Sequence, residues 1–267
     1  MPRADLEALR RQVSQLERGS SPVAGGRFST GSALLDGALR GGLQRGALHE
    51  IFAARMADEA SASGFAITLA VRASARRPVV WVRQDFAGIE AGQIYAPGIA
   101  ELGLSPDRLI LVRARDGPAV LRAGEEAARC PPLGAVLIEP WGAPKALDLV
   151  ATRRLALAAG RSNVPLFMVR AGAEPEPSAA ITRWRVRAAL STALEAEAPG
   201  HPAFEVELLR DRAGGAGRNW IVEWDRDQRI FKDIPGRASS GKDTPALSGG
   251  MVSLSAGGPA DEDRQAV

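Results

Sequence analysis

Between Ala47 and Val169 short apolar runs alternate with helix-length segments, and this alternation leaves few folds open to the chain. Ala47–Phe52, Pro78–Arg83, Arg108–Val112, Leu133–Ile138 and Val164–Val169 are rich in Val, Ile and Leu, as strands buried on both faces are. Ser63–Ala75, a stretch within Gly92–Leu102, Ala119–Arg129 and Ala146–Ala159 read as helices. In the first of them Phe65, Leu69 and Ala73 share one face. A polar turn is expected at Gln84–Asp85. Strands separated by helices of this length form βαβ units, so the predicted class is α/β, a mostly parallel sheet flanked by helices.

Past Arg170 the pattern becomes antiparallel. Thr182–Ala188, Phe204–Arg210, Asn219–Trp224 and Arg229–Phe231 are predicted strands joined by turns such as AGGAG and DRDQ, a meander extending one edge of the sheet. Ahead of the core, residues 4–18 read as an amphipathic helix, with Leu6, Leu9, Val13 and Leu16 at 3–4–3 spacing. That stripe is too short for a self-sufficient coiled coil and must dock on its own domain or on a partner. The expected organisation is therefore an N-terminal amphipathic helix (1–18), a linker (19–27), a core (28–232) and a disordered tail (233–267), the last two-part contrast resting on the Gly, Ser, Pro and Asp of the tail.

Composition narrows the function classes. No apolar run is long enough to span a bilayer, the N-terminus lacks a signal-like apolar region, and Cys130 is alone, so a cytoplasmic protein without disulfides is expected. One cysteine and two histidines, His49 and His201, cannot supply the usual Cys/His zinc spacing, and both histidines read as ordinary core or surface residues. The net charge is only +3, but lysine is confined to Lys145, Lys232 and Lys242 among 34 basic residues. Arginine-dominated surfaces suit phosphate and carboxylate partners.

The stretch Phe28–Phe52, FSTGSALLDGALRGGLQRGALHEIF, resembles the start of the RecA ATPase core. Ser29, Thr30, Gly31, Leu35, Asp36, Gly41, Gly42, Leu43, Gly46, Glu50 and Ile51 match that family's pattern in order, and Ile94–Val112, Leu133–Gly142 and the strand near Arg183 resemble later elements of it. The resemblance covers about residues 1–232 and implies a RecA-like core. In that family the first strand runs into Gly-x-x-x-x-Gly-Lys-[Ser/Thr], whose amides and lysine cradle phosphates while the hydroxyl ligates Mg²⁺. Here only Ser63-Gly64 survives, with Phe65 and Ala66 where Lys and Ser/Thr belong, and Asp58 and Glu59 bring negative charge nearby. No lysine precedes Lys145, so no change of register restores the motif. The family's catalytic Glu is matched by Gln84, which cannot act as a general base, and the Walker B position holds Glu139 followed by Pro140. No nucleotide, metal or other cofactor is expected.

A RecA-like core with a degenerate phosphate loop and a helical N-terminus resembles the bacterial ImuA family. That resemblance implies a non-catalytic accessory protein of damage-inducible mutagenesis, working in translesion synthesis beside RecA, an ImuB-type polymerase-like protein and, indirectly, an error-prone DNA polymerase. The expected partner contacts are Leu6, Leu9, Val13 and Leu16, together with Arg183, Arg185, Arg210 and Arg212. Two readings of the arginines stay open. Arg183, Arg185 and Arg187 put guanidinium groups on one face of a strand, either as a solvated edge or as a contact to an acidic protein or nucleic acid. Arg210 and Arg212 either meet a partner or flank a hairpin. Direct DNA contact is weakly supported, since the acidic loop Ala173–Ser178 would repel phosphate. The rival functions are a recombinase-type ATPase with an atypical nucleotide site and a SulA-like cell-division inhibitor.

Overall fold

The computed structural model describes residues 26–195, 198 and 200–234. The stripe Leu6, Leu9, Val13 and Leu16, most of the linker and nearly all of the tail lie outside the described residues. The strands are β1 (Arg27–Phe28), β2 (Leu43–Gln44), β3 (Leu48–Ala53), β4 (Val79–Gln84), β5 (Leu109–Ala114), β6 (Ala135–Glu139), β7 (Leu166–Arg170), β8 (Thr182–Ala188), β9 (Ala203–Asp211), β10 (Arg218–Asp225) and β11 (Ile230–Asp233). The helices are α1 (Ala33–Ala38), α2 (Glu59–Ser74), α3 (Asp85–Glu90), α4 (Ala96–Glu101), α5 (Gly117–Ala128) and α6 (Leu149–Ser162).

The main sheet has nine strands in the order β11-β10-β9-β8-β3-β7-β6-β4-β5. From β8 to β5 all neighbours are parallel, and β8-β9-β10-β11 is an antiparallel meander. The side-chain period of two divides each central strand between two cores. Val79 and Trp81, Ala135 and Leu137, and Phe167 and Val169 face one core with α2. Val80 and Val82, Val136 and Ile138, and Leu166 and Met168 face the other, covered by α5 and α6.

Local boundaries differ from the sequence reading where capping or packing decides them. The expected turn at Gln84–Asp85 is the start of a helix, α3, with Gln84 as its N-cap residue and Asp85 in the first turn, where a carboxylate complements the helix dipole. α2 begins four residues before Ser63, and β11 runs through Asp233. Asp233 belongs to the fold because its carboxylate accepts from the Ser32 hydroxyl and, at 3.2 Å, from the Leu34 amide.

The Ser29-Thr30-Gly31 segment has a structural task. The Asp36 carboxylate accepts from the Ser29 hydroxyl (2.5 Å) and from the Thr30 amide and hydroxyl (both 2.8 Å). Gly31 has φ +97°, and a Cβ there would stand 2.4 Å from Ile230 Cβ, so only glycine lets the turn press against β11. The signature at the front of the chain thereby fastens its last described strand.

Candidate functional site

A ligand site in an open α/β sheet is expected beyond the C-terminal ends of the strands. Here β3 ends at Ala53, a short connection containing the 3₁₀ turn Met56–Asp58 follows, and α2 starts at Glu59. A strand–loop–helix phosphate motif reads Gly-x-x-x-x-Gly-Lys-[Ser/Thr] across such a junction. In that register Ala53, Asp58, Glu59 and Ala60 occupy the four defining positions. The expectation that Ser63, Gly64, Phe65 and Ala66 are the loop's remnant is corrected: all four lie inside α2. Phe65 is fully buried, with its ring centroid 5.3 Å from that of Phe231, 5.8 Å from Phe204 and 5.9 Å from Trp184. Gly64 matches the motif's second glycine in sequence, but the helix starts at Glu59 and places Gly64 inside it.

The junction carries its own anions. Asp58 is buried, and its carboxylate accepts from Arg55 Nε at 3.0 Å and from the Ala188 amide at 3.1 Å, tying the helix start to the end of β8. Glu139, at the end of β6, is also buried; it accepts from Arg83 Nε at 2.8 Å and from the Ser63 hydroxyl at 3.1 Å. Arg83 is further held by the carbonyls of Gly92 and Ala87. Ser63 therefore supports a carboxylate one turn into the helix. Gln84, in the place of a catalytic glutamate, accepts the Trp141 amide through Oε1 at 3.0 Å and fixes the segment after β6.

Glu59 faces this cluster with its Oε1 buried and without a hydrogen-bond partner. Burial, and then the neighbouring Glu139, push its carboxyl up to about 7, with Arg83 opposing. Glu139 is itself raised, by burial first, against the pull of Arg83 and Ser63. A magnesium–nucleoside triphosphate does not fit these residues: the junction presents carboxylates, and Arg55 and Arg83 are committed to Asp58 and Glu139.

The raised Glu59 has a measurable consequence. The folded state keeps a proton that the unfolded chain has released between pH 4.5 and about 7, so this contribution to stability is complete below pH 4.5 and lost as pH rises through 7. His49 works in the opposite sense. It is buried and stacked on Phe167, donates from Nε2 to the Gln44 carbonyl (2.9 Å) and accepts the Thr182 hydroxyl at Nδ1 (2.8 Å). Burial chiefly lowers it to about 4, so its contribution is lost as pH falls from 6.5 through 4. Glu59→Gln should raise the melting temperature by several degrees at pH 8 and leave the acid limb of the stability profile unchanged, as thermal melts across pH will show.

The arginines expected to meet a partner are dispersed. Arg183 is corrected: β8 lies between β3 and β9, not at an edge, and Arg183 is 8% exposed. Its Nε donates to Glu50 at 2.8 Å and its Nη2 to the Ser178 hydroxyl at 2.7 Å and the Glu176 carbonyl. The acidic loop thus packs against this buried pair. Arg185 stands across from Glu207 and bonds it at 3.0 Å, and Arg187 stands across from Glu205. Arg210 is half-buried with contacts of its own, and Arg212 is exposed; both lie beside the β9–β10 hairpin.

A surface absent from the sequence reading lies at the other end of the sheet. Among the described residues β5 is an edge strand hydrogen-bonded only to β4, and its Ile110 and Leu111 are 50% and 44% exposed on opposite faces. Phe86, Ile89 and Tyr95, from α3 and the segment after it, are exposed in the same part of the chain's fold. The run RLILV has the composition of a buried strand, so exposure is legible only once sheet order is known. Among the described residues no strand pairs with this outer edge, which offers backbone donors and acceptors to an added strand.

Comparison with known proteins bears on the fold and the family. The RadB recombinase crystal structure superposes with a TM-score of 0.50 at 15% identity, over 78% of this chain and 99% of that one. The fold is RecA-like. Protein ImuA from two strains of Caulobacter vibrioides is 35% identical over 212 residues, which is 73% of this chain and 82% of the relative. No protein-family model matches the chain. Among the described residues no helix is long and apolar enough to cross a membrane, and no group of three or more His, Cys, Asp or Glu could hold a metal ion.

Proposed function

Since the chain belongs to the ImuA family of RecA-like proteins, we propose that it is a non-catalytic accessory protein of damage-inducible mutagenesis in the cytoplasm. It acts in translesion synthesis by binding RecA, an ImuB-type polymerase-like protein, or both, and reaches an error-prone polymerase through them. The observation that carries this reading is the junction after β3, where Asp58 and Glu59 stand in the positions of the phosphate loop's second glycine and lysine. A RecA-like core whose loop bears its own carboxylates offers its shape to partners.

Two surfaces suit that role: the apolar stripe Leu6, Leu9, Val13 and Leu16, and the edge of β5 with Ile110 and Leu111. The test is capture of purified RecA and of the ImuB-type protein by the immobilised full chain. Leu9→Asp with Val13→Asp, or Ile110→Asp with Leu111→Asp, should cut capture at least tenfold while the circular-dichroism spectrum stays unchanged. Full capture by both variants overturns the docking assignment. A calorimetric titration with Mg-ATP should be flat; saturable binding with turnover would replace this reading by a recombinase-type ATPase.

A further inference from the structure

The face of the sheet opposite α2 is covered by α5 and α6, which pack side by side. Between them run two adjoining hollows of about 230 Å³ each that share Glu125 and Arg154. Arg122 lines the first, and Arg129, Leu157 and Arg161 line the second. α6 contains no acidic residue. Glu125 is buried at the floor, and both its oxygens are taken, one by Arg129 and one by Arg154, each at 2.5 Å. Arg129 is also bound by the exposed Glu126, through Nη1 at 2.6 Å, so Glu125 and Glu126 together balance Arg129 and Arg154 and fix both guanidinium groups beside the groove. Arg122 and Arg161 extend the positive stripe at either end and are exposed, with no ion pair to a described carboxylate.

Apolar side chains interrupt the charge. Val150, Arg154, Leu157 and Arg161 follow one another at i, i+4, i+7 and i+11, a single face of α6. Val150 is 65% and Leu157 46% exposed, although a helix packed on a sheet ordinarily turns such residues inward. A groove that sets the exposed Leu157 between Arg154 and Arg161 is complementary to a segment that combines carboxylates with apolar residues. Nucleic acid fits it less well. Phosphates would leave Leu157 uncovered, and no aromatic side chain lines the groove for bases to stack on.

We propose that the α5–α6 groove docks an acidic amphipathic helix of a partner protein, its glutamates or aspartates on Arg122 and Arg161 at the two ends and beside Arg154, and its apolar residues over Leu157. This surface is distinct from β5's outer edge, and the proposal does not depend on which partner that edge binds. Helix-in-groove docking and arginine recognition of acidic motifs are both established modes, here combined on one face.

The probe is a fluorescein-labelled helical peptide of Glu, Leu and Ala with Glu and Leu on one face, titrated with the full chain and followed by anisotropy. Saturable binding that weakens with added salt is expected, with a Lys-for-Glu peptide failing to bind. Arg122→Glu with Arg161→Glu should weaken binding at least tenfold at an unchanged melting temperature, because neither side chain holds the fold together. Leu157→Asp should weaken it as well. Equal binding by the double variant, or no binding by the native chain, overturns the proposal. So does a labelled oligonucleotide that binds through the same two arginines more tightly than the peptide.

Discussion

Phe65→Lys, the substitution that would seem to restore the lysine of a phosphate loop, should unfold the protein and confer no affinity for ATP. Position 65 lies in the second turn of α2, and its side chain is 0% exposed among the rings of Trp184, Phe204 and Phe231. Loss of such a ring costs about 3–5 kcal/mol by itself. A lysine would add the cost of burying an ammonium among apolar side chains, or else drive the helix off the sheet to reach water. Against the ~5–15 kcal/mol that stabilises a domain, either outcome leaves little native population. Phe65→Leu is the control, and should be tolerated at roughly half the cost of Phe65→Ala. Urea unfolding followed by tryptophan fluorescence measures all three, and a folded Phe65→Lys variant that binds Mg-ATP would restore the Ser63-Gly64 register.

The reason that register looked right is instructive about what a sequence carries. Ser63-Gly64 is a two-residue coincidence, while the start of α2 depends on Asp58 accepting from the Ala188 amide, a partner 130 residues away. The absence of lysine before Lys145, by contrast, is independent of register, and so the loss of the motif survives the shift to Asp58 and Glu59. The same division runs through the rest of the fold. Thr182–Ala188 could be placed to the residue because strand periodicity is local. Its neighbours could not: that β8 inserts beside β3, and that β5 is left at the edge, are facts of sheet order. Sheet order buries Arg183, which strand periodicity alone places on a surface face, and exposes Ile110, whose strand has the composition of a buried one. Periodicity tells which face a side chain takes, and only topology tells whether that face is covered.

Arg183 provides the sharper test of that distinction. Arg183→Ala should lower stability by about 3–5 kcal/mol, since it strips a buried carboxylate of its principal partner. Glu50 is 1% exposed; without Arg183 it retains the Ser178 hydroxyl at 2.7 Å and Arg170 at 3.9 Å, too distant for a good hydrogen bond. The Ser178 hydroxyl and the Glu176 carbonyl lose a donor at the same time, so the loop before β8 should loosen with the sheet. If the damage comes from an orphaned charge, removing that charge should repair part of it. Glu50→Gln combined with Arg183→Met should therefore recover part of the loss, the remainder falling on the buried Arg170, which loses the carboxylate beside it. Arg185→Ala and Arg187→Ala, each part of a half-exposed cross-strand pair, should cost no more than about 1 kcal/mol. A partner-contact role for Arg183 requires the reverse pattern, an unchanged melting temperature with weakened binding, and chemical denaturation of the four variants separates the two.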